Sequence, residues 1–248
     1  MIGIVGGIGP LAGVDLYKKI LEHTVVHSDQ DHLPVLLAAL PNEIVDRSNF
    51  LLHKTAENPA IGLAKVILLL ENAGAKQIAI ACNTAHAPAI FEPMLQLLEA
   101  QGSKASIINL IEVTIQAIIA HHGDFQRIGI LSTSGTYKTN IYQDALSSAG
   151  FIPVMLPFDR HDLLVHKSIY KIKISGDTVL EDQVLSDLNT AIQELQALGA
   201  EAVILGCTEI GMIEKLLKFG NLEVFNPNTI MAKALIMMHS PAKLNAEF

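Results

Sequence analysis

Short runs of Ile, Val, Leu and Ala recur along the chain and alternate with longer stretches in which apolar residues return every three or four positions. The runs at 2–5, 35–40, 77–81, 106–110, 127–131, 202–205 and 223–225 read as buried strands. The periodic stretches 11–26, 59–73 and 179–198 predict helices. Strand alternating with helix predicts an α/β fold whose parallel sheets are covered on both faces.

The pattern occurs twice. LENAGAKQIAIACNT (70–84) lies over LQALGAEAVILGCTE (195–209), and Leu70/Leu195, Gly74/Gly199, Ala75/Ala200 and Cys82/Cys207 are identical at one offset of 125 residues. The runs GIV from Gly3 and GIL from Gly129 lie 126 apart. Two similar α/β domains related by a pseudo-two-fold axis are therefore expected, over 1–110 and 111–226, meeting across a cleft that holds the active site. A C-terminal helix over 227–240 is assigned to the first.

Composition narrows the function classes. Half of the 248 residues are apolar and the formal net charge is −8, which favours a large buried core and argues against a nucleic-acid binder. The apolar start has no Lys or Arg before it and is followed at once by Asp15, Lys18 and Lys19, so it reads as neither a signal peptide nor a membrane span. With two cysteines, no C-x-x-C and no H-E-x-x-H, neither a disulfide framework nor a metal site is expected, and the setting is read as cytoplasmic.

The two cysteines carry the chemistry. Each falls where a strand gives way to polar residues and then a helix, which is where open α/β sheets bind ligands. Equivalent thiols facing one cleft suit a reaction that is itself nearly symmetric: one thiolate removes a proton from a carbon while the opposite thiol delivers one to the other face. A thiol suits both roles because its ordinary pKa, about 8.5, can be drawn toward neutrality.

GGIGPLA (6–12), CNTAH (82–86), LGCTEI (205–210) and STSGT (132–136) together resemble the aspartate/glutamate racemase superfamily, in its aspartate racemase branch. The resemblance runs to about residue 234. It implies an acidic amino-acid substrate, no pyridoxal phosphate or other cofactor, a homodimer, and Cys82 and Cys207 as the acid/base pair. By position it also implies that Arg47 clamps a substrate carboxylate and that Lys173, chosen over Lys171, approaches the distal end. Asn83, Thr84 and Thr208 would hold the amino-acid backbone, with Thr133 and Glu209 completing the substrate contacts. Glutamate racemases of this kind carry histidine at the position of Glu209 and an Asp-Ser pair where this chain has Gly6-Gly7, so the aspartate branch is favoured.

Gly7-Ile8-Gly9-Pro10-Leu11-Ala12 also fits a loose dinucleotide fingerprint, G-x-G-x-x-A. A nucleotide site would want an acidic residue at the end of the second strand, which ends instead in Pro41. The amides around Ile8 and Gly9 are therefore assigned to a substrate carboxylate. Glutamate or broader racemisation, malonate decarboxylation, maleate isomerisation and a catalytically silent amino-acid-binding protein are the alternatives. Retention of both cysteines favours racemisation.

Overall fold

The computed structural model describes residues 1–53, 57–121, 123–175 and 180–245. Two four-stranded sheets, all parallel, form the framework. The first is ordered β2-β1-β3-β4, from β1 (Ile2–Gly6), β2 (Val35–Ala39), β3 (Gln77–Ile80) and β4 (Ser106–Ile108). The second repeats that order as β6-β5-β7-β8, from β5 (Arg127–Ser132), β6 (Ile152–Val154), β7 (Ala202–Gly206) and β8 (Glu223–Phe225).

The register explains why the repeat survives in the sequence. Gly3 pairs with Ile78 and Gly129 with Val203, so the two glycines are structural equivalents. Each lies under the residues that recur: a Cβ on Gly3 would meet Ala75 at 2.9 Å, and one on Gly129 would meet Leu195 at 3.1 Å and Ala200 at 3.4 Å. Gly74 and Gly199 end the preceding helices in the left-handed region, at φ 99° and 86°. There the amides of Ala75 and Ala200 reach back to the carbonyls of Leu70 and Leu195 at 3.0 and 2.9 Å, the six-to-one closure of a Schellman turn. An alanine in that conformation costs about 1–2 kcal/mol. Gly74→Ala and Gly199→Ala are each expected to lower the melting temperature by several degrees, measured by thermal unfolding.

Several element boundaries differ from the sequence reading. The fourth strand stops at Ile108, because the Asn109 side chain accepts the amides of Ile111 and Glu112 and starts the helix Leu110–Ala120. The first helix, Pro10–Glu22, ends four residues early, where Val25 donates to the Lys243 carbonyl. β6 had no counterpart in the pattern: three residues with Pro153 at their centre are tolerated only at a sheet edge, where β6 lies. The third long helix is Asp182–Ala197; Val179, its expected start, lies outside the described residues.

The last helix, Pro227–His239, packs on the first, with Asn228 Nδ2 donating to the Ala12 carbonyl at 3.2 Å and to Asp15 at 2.8 Å. Among the described residues no helix is long and apolar enough to cross a membrane.

Candidate active site

In each sheet the chain leaves the central strands in opposite directions, so a crevice opens beyond the carboxyl ends of β1 and β3, and likewise of β5 and β7. The two crevices face each other. β3 delivers Cys82, Asn83 and Thr84, β5 delivers Thr133, and β7 delivers Cys207, Thr208 and Glu209, all into one pocket. Arg47 enters from the start of the helix Arg47–His53, after β2, and Lys173 from the helix Lys167–Ser175. Both cysteines are buried and free.

The charges are arranged unequally around the two thiols. The Arg47 guanidinium lies against Cys82; burial opposes its charge, but Cys82, Asp46 and Glu209 more than offset this and hold its pKa above the usual value. Cys207 sits beside a carboxylate, its Sγ 2.9 Å from Glu209 Oε2. Burial, and then Glu209, push the Cys207 thiol well above the ordinary range. Lys173 Nζ pairs with Glu209 Oε1 at 2.5 Å. Burial works against both partners, yet Cys207 and then Glu209 hold Lys173 raised, and Lys173 holds Glu209 lowered.

Hydroxyls and amides bridge the two halves. Thr84 Oγ1 lies 3.0 Å from Thr133 Oγ1 and 2.9 Å from Thr136 Oγ1, and the Tyr142 hydroxyl donates to Asn83 Oδ1 at 2.5 Å. Tyr170 from the second half donates to the Asp46 carboxylate at 3.3 Å. Behind Cys82, His86 is driven neutral, to about 4, by burial, and its Nδ1 donates to the Cys82 carbonyl at 2.9 Å. Two buried donors on the pocket wall, Arg47 Nε and Asn83 Nδ2, have no acceptor among the described residues. A buried donor left unpaired costs about 1–3 kcal/mol, which a carboxylate in the pocket would recover. The pocket as it stands has room for only about one water molecule, so the side chains that line it, or the halves that carry them, must move to admit an amino acid.

Of the residues singled out from sequence, Arg47, Cys82, Asn83, Thr84, Thr133, Lys173, Cys207, Thr208 and Glu209 line this pocket together. Ile8 and Gly9 do not. The Ile8 side chain is buried in the core with Cys82 and Ala85, and Gly9, at φ 87°, abuts the Glu209 carboxylate so closely that no side chain fits there. Lys171 points elsewhere, pairing with Glu181 at 2.7 Å, because two residues on a helix differ by roughly 200°. Both lysines belong to the segment IYKIKISG (169–176), which is helical through IYKIKIS, while Gly176 lies outside the described residues.

Asp46, Ser48 and Tyr170 also line the pocket and were not anticipated. Asp46 and Ser48 flank Arg47, so the whole turn was there to be read. Tyr170 is one helical turn before Lys173, and a helical reading of that segment would have put both on one face. A five-residue π-helix, Asp162–His166, precedes them, and such turns commonly mark functional sites.

Residues 5–235 match the model of the Asp/Glu/Hydantoin racemase family. Among solved structures the chain is similar to the aspartate racemase of Picrophilus torridus, at 30% identity over 99% of this chain and 96% of that one, with a TM-score of 0.81. An aspartate racemase homologue from Pyrococcus horikoshii OT3 follows at 22% identity, covering 96% of this chain and 97% of that one, with a TM-score of 0.70. A glutamate racemase from Francisella tularensis, in complex with D-glutamate, shares the fold at 19% identity over 100% of this chain and 84% of that one, with a TM-score of 0.64. The chain belongs to the Asp/Glu/Hydantoin racemase family. It is an isomerase of the amino-acid racemase type, similar to the aspartate racemase branch.

Proposed function

We propose that the protein racemises aspartate without pyridoxal phosphate, by proton transfer at the α-carbon between Cys82 and Cys207. The observation that carries this reading is the meeting of the two cysteines of the sequence, both free, in one buried pocket with two cations, Arg47 and Lys173. Two carboxylates need two cations, and Arg47 has an unpaired Nε ready for one of them. The unpaired Asn83 amide, held from behind by Tyr142, is a further donor to the substrate.

In the forward step the thiolate of one cysteine takes the α-proton, and the thiol of the other gives its proton to the opposite face of the carbanion. Arg47 and the amide donors stabilise the negative charge that develops on the α-carboxylate. Closure of the halves over the substrate removes water, which strengthens those contacts and keeps bulk protons from the carbanion.

The assembly is taken to be a homodimer, as the resemblance to the aspartate racemases implies, and the setting to be cytoplasmic, as the two unpaired cysteines suggest. The test is polarimetric assay of protein freed of pyridoxal phosphate, with L-aspartate, L-glutamate, L-alanine and L-asparagine side by side. Turnover of aspartate ahead of the others is expected. Preference for a neutral amino acid would contradict the assignment of Arg47 and Lys173 to two carboxylates.

A further inference from the structure

Glu209 is a buried carboxylate in a pocket read as accepting an anionic substrate, which it repels. Both its oxygens are engaged. Oε1 accepts from Lys173 Nζ at 2.5 Å, and Oε2 accepts from the Cys207 thiol at 2.9 Å and the Thr208 hydroxyl at 3.1 Å. Gly9 closes the remaining side. The repeat sharpens the point: at the offset of 125 residues Glu209 corresponds to Thr84, so the second half carries a charge where the first carries a hydroxyl.

We propose that Glu209 is a positioning residue that fixes the proton on Cys207 and thereby makes the nearly symmetric site directional, with Cys207 the proton donor in the free enzyme. This rests on the two-thiol reading above. A thiol that donates to a carboxylate keeps its proton, because the thiolate in the same place would be a second anion beside the first in a site from which water is excluded. The titratable and charged groups facing Cys207 are Glu209 beside it, Lys173 from the helix Lys167–Ser175, Cys82 from the other half and Tyr142 from the helix Ile141–Ser148. Burial keeps Tyr142 neutral. Lys173 pulls Cys207 the other way, but it is already paired with Glu209.

The proton count closes. The Cys82 thiolate takes the α-proton and the Cys207 proton passes to the opposite face, leaving Cys82 as thiol and Cys207 as thiolate. The enzyme resets by running the reverse transfer on a molecule of product or by exchanging protons with water. Enantiomers are equal in free energy, so Glu209 cannot alter the final ratio or make kcat/KM differ between them. It sets which protonation form the free enzyme occupies.

The test reads Cys207 ionisation directly and requires no turnover, so it stands apart from failure of the racemase assay. Cys82→Ser leaves Cys207 as the one cysteine of the chain. Its thiolate absorbance in the ultraviolet is titrated against pH, with Cys82→Ser/Cys207→Ser subtracting the tyrosines. Adding Glu209→Gln is expected to lower the midpoint by about one pH unit or more, hence about tenfold more thiolate at a pH below both midpoints. A midpoint unmoved by Glu209→Gln in a protein of native thermal stability overturns the proposal. Should Glu209→Gln fail to fold, Glu209→Ser is titrated in its place, and an unmoved midpoint overturns the proposal.

Discussion

Cys82→Ser and Cys207→Ser are each expected to reduce racemisation by on the order of 10²–10⁴-fold, the usual contribution of a positioned acid or base. A hydroxyl is a far weaker proton acceptor than a thiolate near neutral pH. Both side chains are small and buried, and serine preserves their volume, so thermal unfolding should move much less than turnover. The two lesions should differ in kind. Each variant keeps one thiol, and that thiol can still exchange the α-proton of the enantiomer that presents its C–H bond to it. Deuterium uptake without inversion, from opposite enantiomers in the two variants, is the expected signature, weaker near neutral pH in Cys82→Ser, where Glu209 keeps the proton on Cys207. Near-normal racemisation in both variants would end the two-thiol account.

Arg47→Ala should act on binding. A charge-assisted contact to a carboxylate contributes about 1.5–3 kcal/mol, so KM for aspartate is expected to rise by about 10- to 100-fold. Arg47 donates to the Val45 carbonyl at 3.3 Å and lies against Cys82, while its Nε has no acceptor among the described residues, so the substitution is expected to cost more in binding than in stability. The loss should be smaller for amino acids with neutral side chains if Arg47 holds the side-chain carboxylate, and equal for all if it holds the α-carboxylate. Kinetics on aspartate and asparagine separate the two. A large drop in melting temperature with unchanged KM would make Arg47 a structural residue.

Much of the framework was legible because it is local. A buried parallel strand writes itself as an apolar run, and the Leu–Gly–Ala turn recurs because Gly3 and Gly129 leave room for it in both halves. The cysteines were legible for the same reason, as the last identities of a duplicated unit at the strand ends. What escaped depends on contacts between the halves. Nothing near Tyr170 announces that its hydroxyl meets Asp46, 124 residues away, and the pairing of Thr84 with Thr133 and Thr136 exists only once the two sheets face each other. Ile8 and Gly9 were assigned through their backbone amides, and the burial of the Ile8 side chain in the core leaves that assignment as it was. Glu209 could be placed in the pocket by motif, but its grip on Lys173 and Cys207 needed coordinates.

The central claim is that two thiols work on opposite faces of one α-carbon. Its most direct test is a brief incubation of the wild-type protein with L-aspartate in deuterium oxide, stopped while little product has formed, with deuterium counted separately in each enantiomer. Two separate acid/base groups give D-aspartate that carries solvent deuterium at the α-carbon while the recovered L-aspartate stays largely unlabelled. Early D-aspartate that retains the substrate's own α-hydrogen would mean that a single group carries the proton across, and would contradict the account.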